Sequence, residues 1–225
     1  MREQRVTEWD GVTLRSSLKP RFAQARDRLA DAARDGDWAA VEDVLAERPE
    51  WVNCPRLEGR SGYTPLHQAA WHGAGAATVE GLLARGALRT LRMGDGERAA
   101  DIAARRGHHR LAELLRPVVR HPVPPAEIAL LQEHLNRLIR HRAALEGGSD
   151  LATRHALWLP EVEALTELDH PVCWFPVPGM YGGFQITLDG RELTVDSWIR
   201  VIGGSERTDR VTPAGVRLQE GEPLL

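Results

Sequence analysis

The stretch Gly62-Tyr63-Thr64-Pro65-Leu66-His67-Gln68-Ala69-Ala70-Trp71-His72-Gly73 decides how the chain folds. It predicts one short helix with both ends specified. Thr64 carries the hydroxyl of an N-cap, and Pro65 suits the first helical position because the N–H it lacks has no partner there anyway. Gly73 takes the left-handed conformation that stops a helix at little cost. Leu66, Ala69 and Ala70 form one face, and small alanines let a second helix come close. That second helix is announced by Val79, Leu82 and Leu83 and ends at Gly86-Ala87.

Working outward, the pattern recurs. Gly96-Glu97-Arg98-Ala99-Ala100-Asp101-Ile102-Ala103-Ala104-Arg105-Arg106-Gly107 is followed by Leu111, Leu114 and Leu115. Asp101 stands where the first copy has His67, and Arg98-Ala99 replace Thr64-Pro65, which predicts a less well capped helix. The extra residues Ala74-Gly75-Ala76-Ala77 are expected to lengthen the turn of the first copy. A weaker copy lies upstream, with Leu29, Ala32 and Ala33 on one apolar stripe and Val41, Val44 and Leu45 on another. Trp38 and Trp51 are expected to close that end.

Thr64-Pro65-Leu66-His67 and its surrounding glycines resemble the ankyrin repeat. The resemblance implies an N-terminal all-α solenoid of about three repeats over residues 21–120, after an extension at 1–20. Terminal copies are atypical in such arrays because each exposes a face that its neighbours would cover. The resemblance also implies protein binding through fingers and the exposed ends of the inner helices. Carried onto this chain, the fingers are Leu57-Glu58-Gly59-Arg60 and Leu91-Arg92-Met93-Gly94-Asp95. The helix positions are Arg34, Asp35, Gln68, Trp71, His72, Arg105 and Arg106. Trp71 is the expected anchor, its other reading being cover for a neighbouring element. His67 is expected to make structural hydrogen bonds.

The 225 residues are 42% hydrophobic and 27% charged, enough apolar material for one large or two small cores. A net charge of −3 supplies no global field for nucleic acid or an anionic membrane. Cys54 and Cys173 form neither a redox pair nor a zinc knuckle. The N-terminus lacks the apolar run of a signal peptide and no stretch has the length of a membrane span, so a soluble, cytoplasmic protein is expected. No cofactor and no metal site is expected.

Beyond Val118 the pattern stops, and Pro122 with Pro124-Pro125 interrupts any inherited helix. Residues 121–225 read as a small α+β domain with an antiparallel sheet, making the chain α+β overall. A helix is predicted from Ala126 to about Leu145, and a shorter one near Pro160. Strands follow at Val172-Cys173-Trp174-Phe175, at Phe184, Ile186 and Leu188, and over 192–201, with Asp189-Gly190 a hairpin turn. Segments 206–211 and 215–218 add further antiparallel pieces, for three or four strands in all. The run Cys173 to Phe184 is similar to modules found behind ankyrin repeats in bacterial proteins, a similarity that implies no particular activity.

Several residues here are chemically suggestive. Arg120, His121, His134, Arg137, Arg140, His141 and Arg142 make the most basic stretch, read as a solvated face in preference to a phosphate site. Asp169, His170 and Cys173 are close in sequence, but triads are recognised by geometry and a buried, inert thiol is the default. Pro178-Gly179-Met180-Tyr181-Gly182-Gly183 reads as a tight connection or as a ligand loop. Trp174, Tyr181, Glu192, Asp196, Trp198 and Arg200 are the candidate pocket, with Asp196 or Glu192 as acid or base and Arg200 holding an anion. The competing, preferred expectation puts the tryptophans in the core of the sheet. The functional expectation is a protein-binding adaptor or regulator whose partner is another protein or a second copy, or alternatively a small-molecule enzyme or ligand sensor.

Overall fold

A computed structural model describes residues 6–147, 151–199 and 206–218. The chain divides into two compact units, one of Val12–Val118 and one that joins Met1–Gly11 to Val119–Leu225. The residues expected as an extension at 1–20 are thus shared between the units.

The first unit is helical. Its elements are α1 (Pro20–Asp35), α2 (Trp38–Glu47), α3 (Pro65–His72), α4 (Ala76–Ala84), α5 (Ala99–Arg105) and α6 (His109–Leu114). α1 packs on α2, α3 on α4 and α5 on α6, while α3 touches both α1 and α5. One apolar core runs through all of them: Leu29, Val41 and Leu45, then Leu66, Ala69 and Leu82, then Ile102, Ala103 and Leu115. Polar ties join successive segments. Asn53 donates to the Gly86 carbonyl and accepts from the Leu88 N–H, each at 2.9 Å.

The helix ends show how the residues specify these elements. Thr64 is the N-cap of α3, and its N–H donates to Nδ1 of His67 at 3.3 Å. The other ring nitrogen lies 3.2 Å from the Leu91 carbonyl, so Nε2 carries the proton and donates. In α5 the Asp101 carboxylate accepts from the Arg98 N–H at 2.9 Å, so this helix does have a reach-back cap. A carboxylate accepts as well as an imidazole nitrogen does. The extra residues after Gly73 also act differently from expectation. Three residues separate α3 from α4, as three separate α5 from α6, and Ala76 and Ala77 enter α4. The insertion lengthens the helix instead of the turn.

At the start of this unit Trp51 is buried and meets Phe22 edge-to-face at 6.5 Å. The Arg48 guanidinium lies over both rings, 4.4 Å from Phe22 and 5.2 Å from Trp51. Trp38 is half-buried against His72 at 6.1 Å.

The second unit packs helices on one sheet. They are α7 (Pro125–Gly147), α8 (Leu151–Arg154) and α9 (Val162–Leu165), of which α8 was not expected. The strands are β1 (Thr7–Glu8), β2 (Val172–Val177), β3 (Gly182–Asp189), β4 (Glu192–Ile199), β5 (Glu206–Thr212) and β6 (Gly215–Leu218), adjacent in chain order. Among the described residues six strands replace the three or four expected. β2 to β6 form an antiparallel meander, whereas β1 joins β2 in parallel, Thr7 opposite Cys173. Pairing brought in by a segment more than 160 residues upstream leaves no local periodicity to read. Cys173, Phe175, Phe184, Ile186, Leu193, Val195 and Val211 are buried, and with them α7 buries Leu131, Leu135, Leu138 and Ile139. Among the described residues no helix is long and apolar enough to cross a membrane.

Candidate functional site

In the helical unit two of the expected binding residues, Arg105 and Arg106, gather on a third, Trp71, in the last turn of α3. Its ring is half-buried. Tyr63 meets it edge-on at 6.3 Å, and the guanidiniums of Arg106 and Arg105 lie 4.3 and 5.8 Å from its centroid. Arg106 also donates from Nε to the Trp71 carbonyl at 3.4 Å. Arg105 is aimed by a two-point pair with Glu97, 2.9 Å from Nε and 2.7 Å from Nη2. That hydrogen bond raises the Arg105 guanidinium above its ordinary range, so the cation keeps its charge at any working pH. Cation and ring attract through the quadrupole of the indole.

The other expected residues are placed as follows. His72 is exposed and bonded through Nε2 to the Arg34 carbonyl at 2.8 Å, a tie between the ends of α3 and α1. Arg34 pairs with Asp35 at 2.8 Å and with Asp31 at 3.2 Å, and the bond from Arg34 holds Asp35 below its usual value. Gln68 is half-buried, and Arg60 and Arg92 are exposed. Arg92 donates to the Gly96 carbonyl at 2.9 Å. Within the expected fingers Leu57, Leu91 and Met93 are buried, and the charged residues and glycines are exposed. The sequence reading passed over Tyr63 and Glu97. Tyr63 stands eight residues before Trp71 and Glu97 eight before Arg105, a spacing with no single-helix signature.

In the second unit Trp174 and Trp198 stack at 4.5 Å with planes 18° apart. Both lie on the sheet face away from the core, which corrects the expectation of core tryptophans. Alternation is the reason: Cys173 and Phe175 take the inward positions on β2, and Trp174 between them must point out. Gly183, opposite Trp198, makes the stack possible. A Cβ there would sit 2.8 Å from the Trp174 ring and 2.2 Å from the Phe175 carbonyl oxygen.

The remaining candidates of this pocket are spread along the sheet. Asp196 accepts from the Thr208 hydroxyl at 2.6 Å, and Glu192 pairs with Arg210 at 3.4 Å. Glu192 is six residues from Trp198 on the same face, roughly 20 Å along an extended strand. Tyr181 is 75% exposed in the turn between β2 and β3, with a left-handed φ of 52°. Arg200 lies outside the described residues. The structure therefore unites the two tryptophans, keeps Asp196 two residues from Trp198 on the same face of β4, and sets Glu192 apart.

Neither the triad nor the basic stretch assembles a site. Cys173 is buried and its thiol is pushed up to about 12 by burial, so it stays protonated. Asp169 and His170 are exposed, and Asp169 pairs with Arg120 at 2.6 Å. His121 and His134 bond the carbonyls of Leu168 and Thr212, and Arg137 pairs with Glu133. Arg142 is buried in a forked pair with Asp209, at 2.9 and 3.1 Å. Of these groups, His121, His134 and Arg142 tie separate segments together, while Arg137 stays on the exposed face of α7. Among the described residues no cluster of three or more histidines, cysteines or acids could hold a metal.

Comparison with known proteins adds no family: no protein-family model matches the chain, and no curated protein matches it.

Proposed function

We propose that the helical unit is a protein-recognition module of the ankyrin-repeat kind, which takes another protein or a second copy of this chain on the surface around Trp71. The observation that carries this reading is the Trp71 ring itself, half-buried and held by Tyr63, Arg105 and Arg106. A ring already restrained loses little side-chain freedom on binding, and tryptophan and arginine are the residues that most often dominate interface energetics. Arg34, Asp35, Arg60 and Arg92 supply exposed charges that set register and encounter rate more than affinity. The second unit serves as scaffold or regulator in this reading. The alternative, a small-molecule enzyme or ligand sensor in the second unit, rests on the Trp174–Trp198 stack with Asp196 on the same face of β4.

The test compares the parent chain with Trp71→Ala and Trp198→Ala, each checked for an unchanged thermal transition. Partners are captured from native lysate, identified, purified and titrated. Loss of Trp71 should weaken the protein complex by at least about 2 kcal/mol, roughly thirtyfold. Equal affinity of parent and Trp71→Ala would remove the proposed surface. A metabolite retained by the parent and by Trp71→Ala but lost from Trp198→Ala would transfer the function to the second unit.

A further inference from the structure

A cleft of about 430 Å³ opens in the helical unit where the α3–α4 turn meets the start of α6. Its volume falls in the range of small-molecule sites, roughly 300–1,000 Å³. Gly73, Ala74, Ala76 and Gly107 line it with little side-chain volume, and the His108 ring lies over Gly73. Leu111 and Leu114 supply an apolar wall. The polar lining is limited to His108, His109 and Arg110, with no carboxylate among the lining residues.

Charge and occupancy of these groups point the same way. Other arginines of the helical unit are taken up by the protein: Arg85 by Glu42, Arg105 by Glu97, Arg116 by Glu113, and Arg106 by the Trp71 ring. The side chains of His108, His109 and Arg110 make no hydrogen bond or ion pair with any described residue. A concave space with an apolar wall, one unpaired guanidinium and two unpaired imidazoles, with no acid among its lining residues, is complementary to an anion with an apolar body. A single guanidinium fork matches a carboxylate at two points.

We propose that this cleft binds a small organic acid, with Arg110 and His109 on its carboxylate and Leu111 and Leu114 against its apolar body. The inference is independent of the protein-recognition reading, because Trp71 does not line the cleft.

The test uses the full chain, labelled with nitrogen-15, and two probes of nearly equal shape, benzoate and the neutral benzamide. Benzoate should give saturable shifts confined to the amides of residues 73–76 and 107–114, with a dissociation constant on the order of 1 mM. Benzamide should bind at least about tenfold more weakly, and Arg110→Ala should lower benzoate affinity by about the same factor. Ala76→Phe, at an exposed position that lines the cleft, should abolish binding by filling it. Trp71→Ala should leave benzoate binding unchanged. Non-saturating or scattered shifts, equal binding of benzamide, or full binding by folded Ala76→Phe and Arg110→Ala variants would overturn the proposal.

Discussion

His67 shows how one residue links helix capping to the pH response. It is buried, accepts at Nδ1 from Thr64 and donates at Nε2 to Leu91, so both nitrogens are satisfied only in the neutral ring. Burial lowers its pKa from 6.5 to about 4. Because the folded value lies below the unfolded one, the unfolded chain binds more protons between the two, and stability falls with acid there. The contribution is complete above about pH 6.5 and is lost progressively as pH falls to about 4, on the order of 3 kcal/mol. Chemical denaturation of the parent and of His67→Gln across that window should show the slope flattened in the variant. An unchanged slope would place the titration elsewhere. His67 was legible in sequence as a structural histidine from its place three residues after Thr64. Its second partner, the Leu91 carbonyl 24 residues away, was not.

At the scale of elements, α7 keeps Arg137, Arg140 and His141 exposed, as a solvated face requires, but turns Arg142 inward as a joint. Arg142 and Asp209 are nearly inaccessible, at 4% and 1% side-chain exposure, and their pair joins α7 to β5. Removing one partner leaves an uncompensated buried charge, whereas replacing both with apolar residues of similar size removes the desolvation cost as well. Arg142→Met should therefore destabilise the second unit by about 3–5 kcal/mol, and Arg142→Met with Asp209→Leu should recover most of that. Urea titrations of the single and double variants would decide it, and a double variant no better than the single would contradict the account. The charge of Arg142 was visible in sequence. Its inward direction was not, because the polar residue sits within an otherwise apolar stripe that only the partner on β5 makes tolerable.

For the whole molecule, the division into units departs most from a linear reading. Residues 6–11 belong with 119–225, through the parallel pairing of β1 with β2 and through Trp9. Trp9 is 5% exposed, meets Trp158 at 4.7 Å and donates from Nε1 to its carbonyl at 2.9 Å. Trp9→Ala should cost about 3–5 kcal/mol. The loss should register as weaker hydrogen-exchange protection at β2 and β3, with the protection of α3 and α5 unchanged. A uniform loss over both units, or none, would show that the N-terminal segment is not a specific part of the second unit.

Local patterns in the chain were sufficient for the helix pairs, the α7 boundaries and the β3–β4 hairpin. Each depends on contacts within a few residues: a cap, a left-handed glycine, a period of two or four. They also put Trp71 in the last turn of a helix whose inward face is already taken by Leu66, Ala69 and Ala70. Folding in three dimensions settled what distant segments do to one another. It stacked Trp174 on Trp198 across a glycine, separated Glu192 from them, closed Arg142 on Asp209 and brought β1 to β2. None of these has a local signature, because pairing across a sheet or between a helix and a strand depends on register and burial that sequence spacing does not encode.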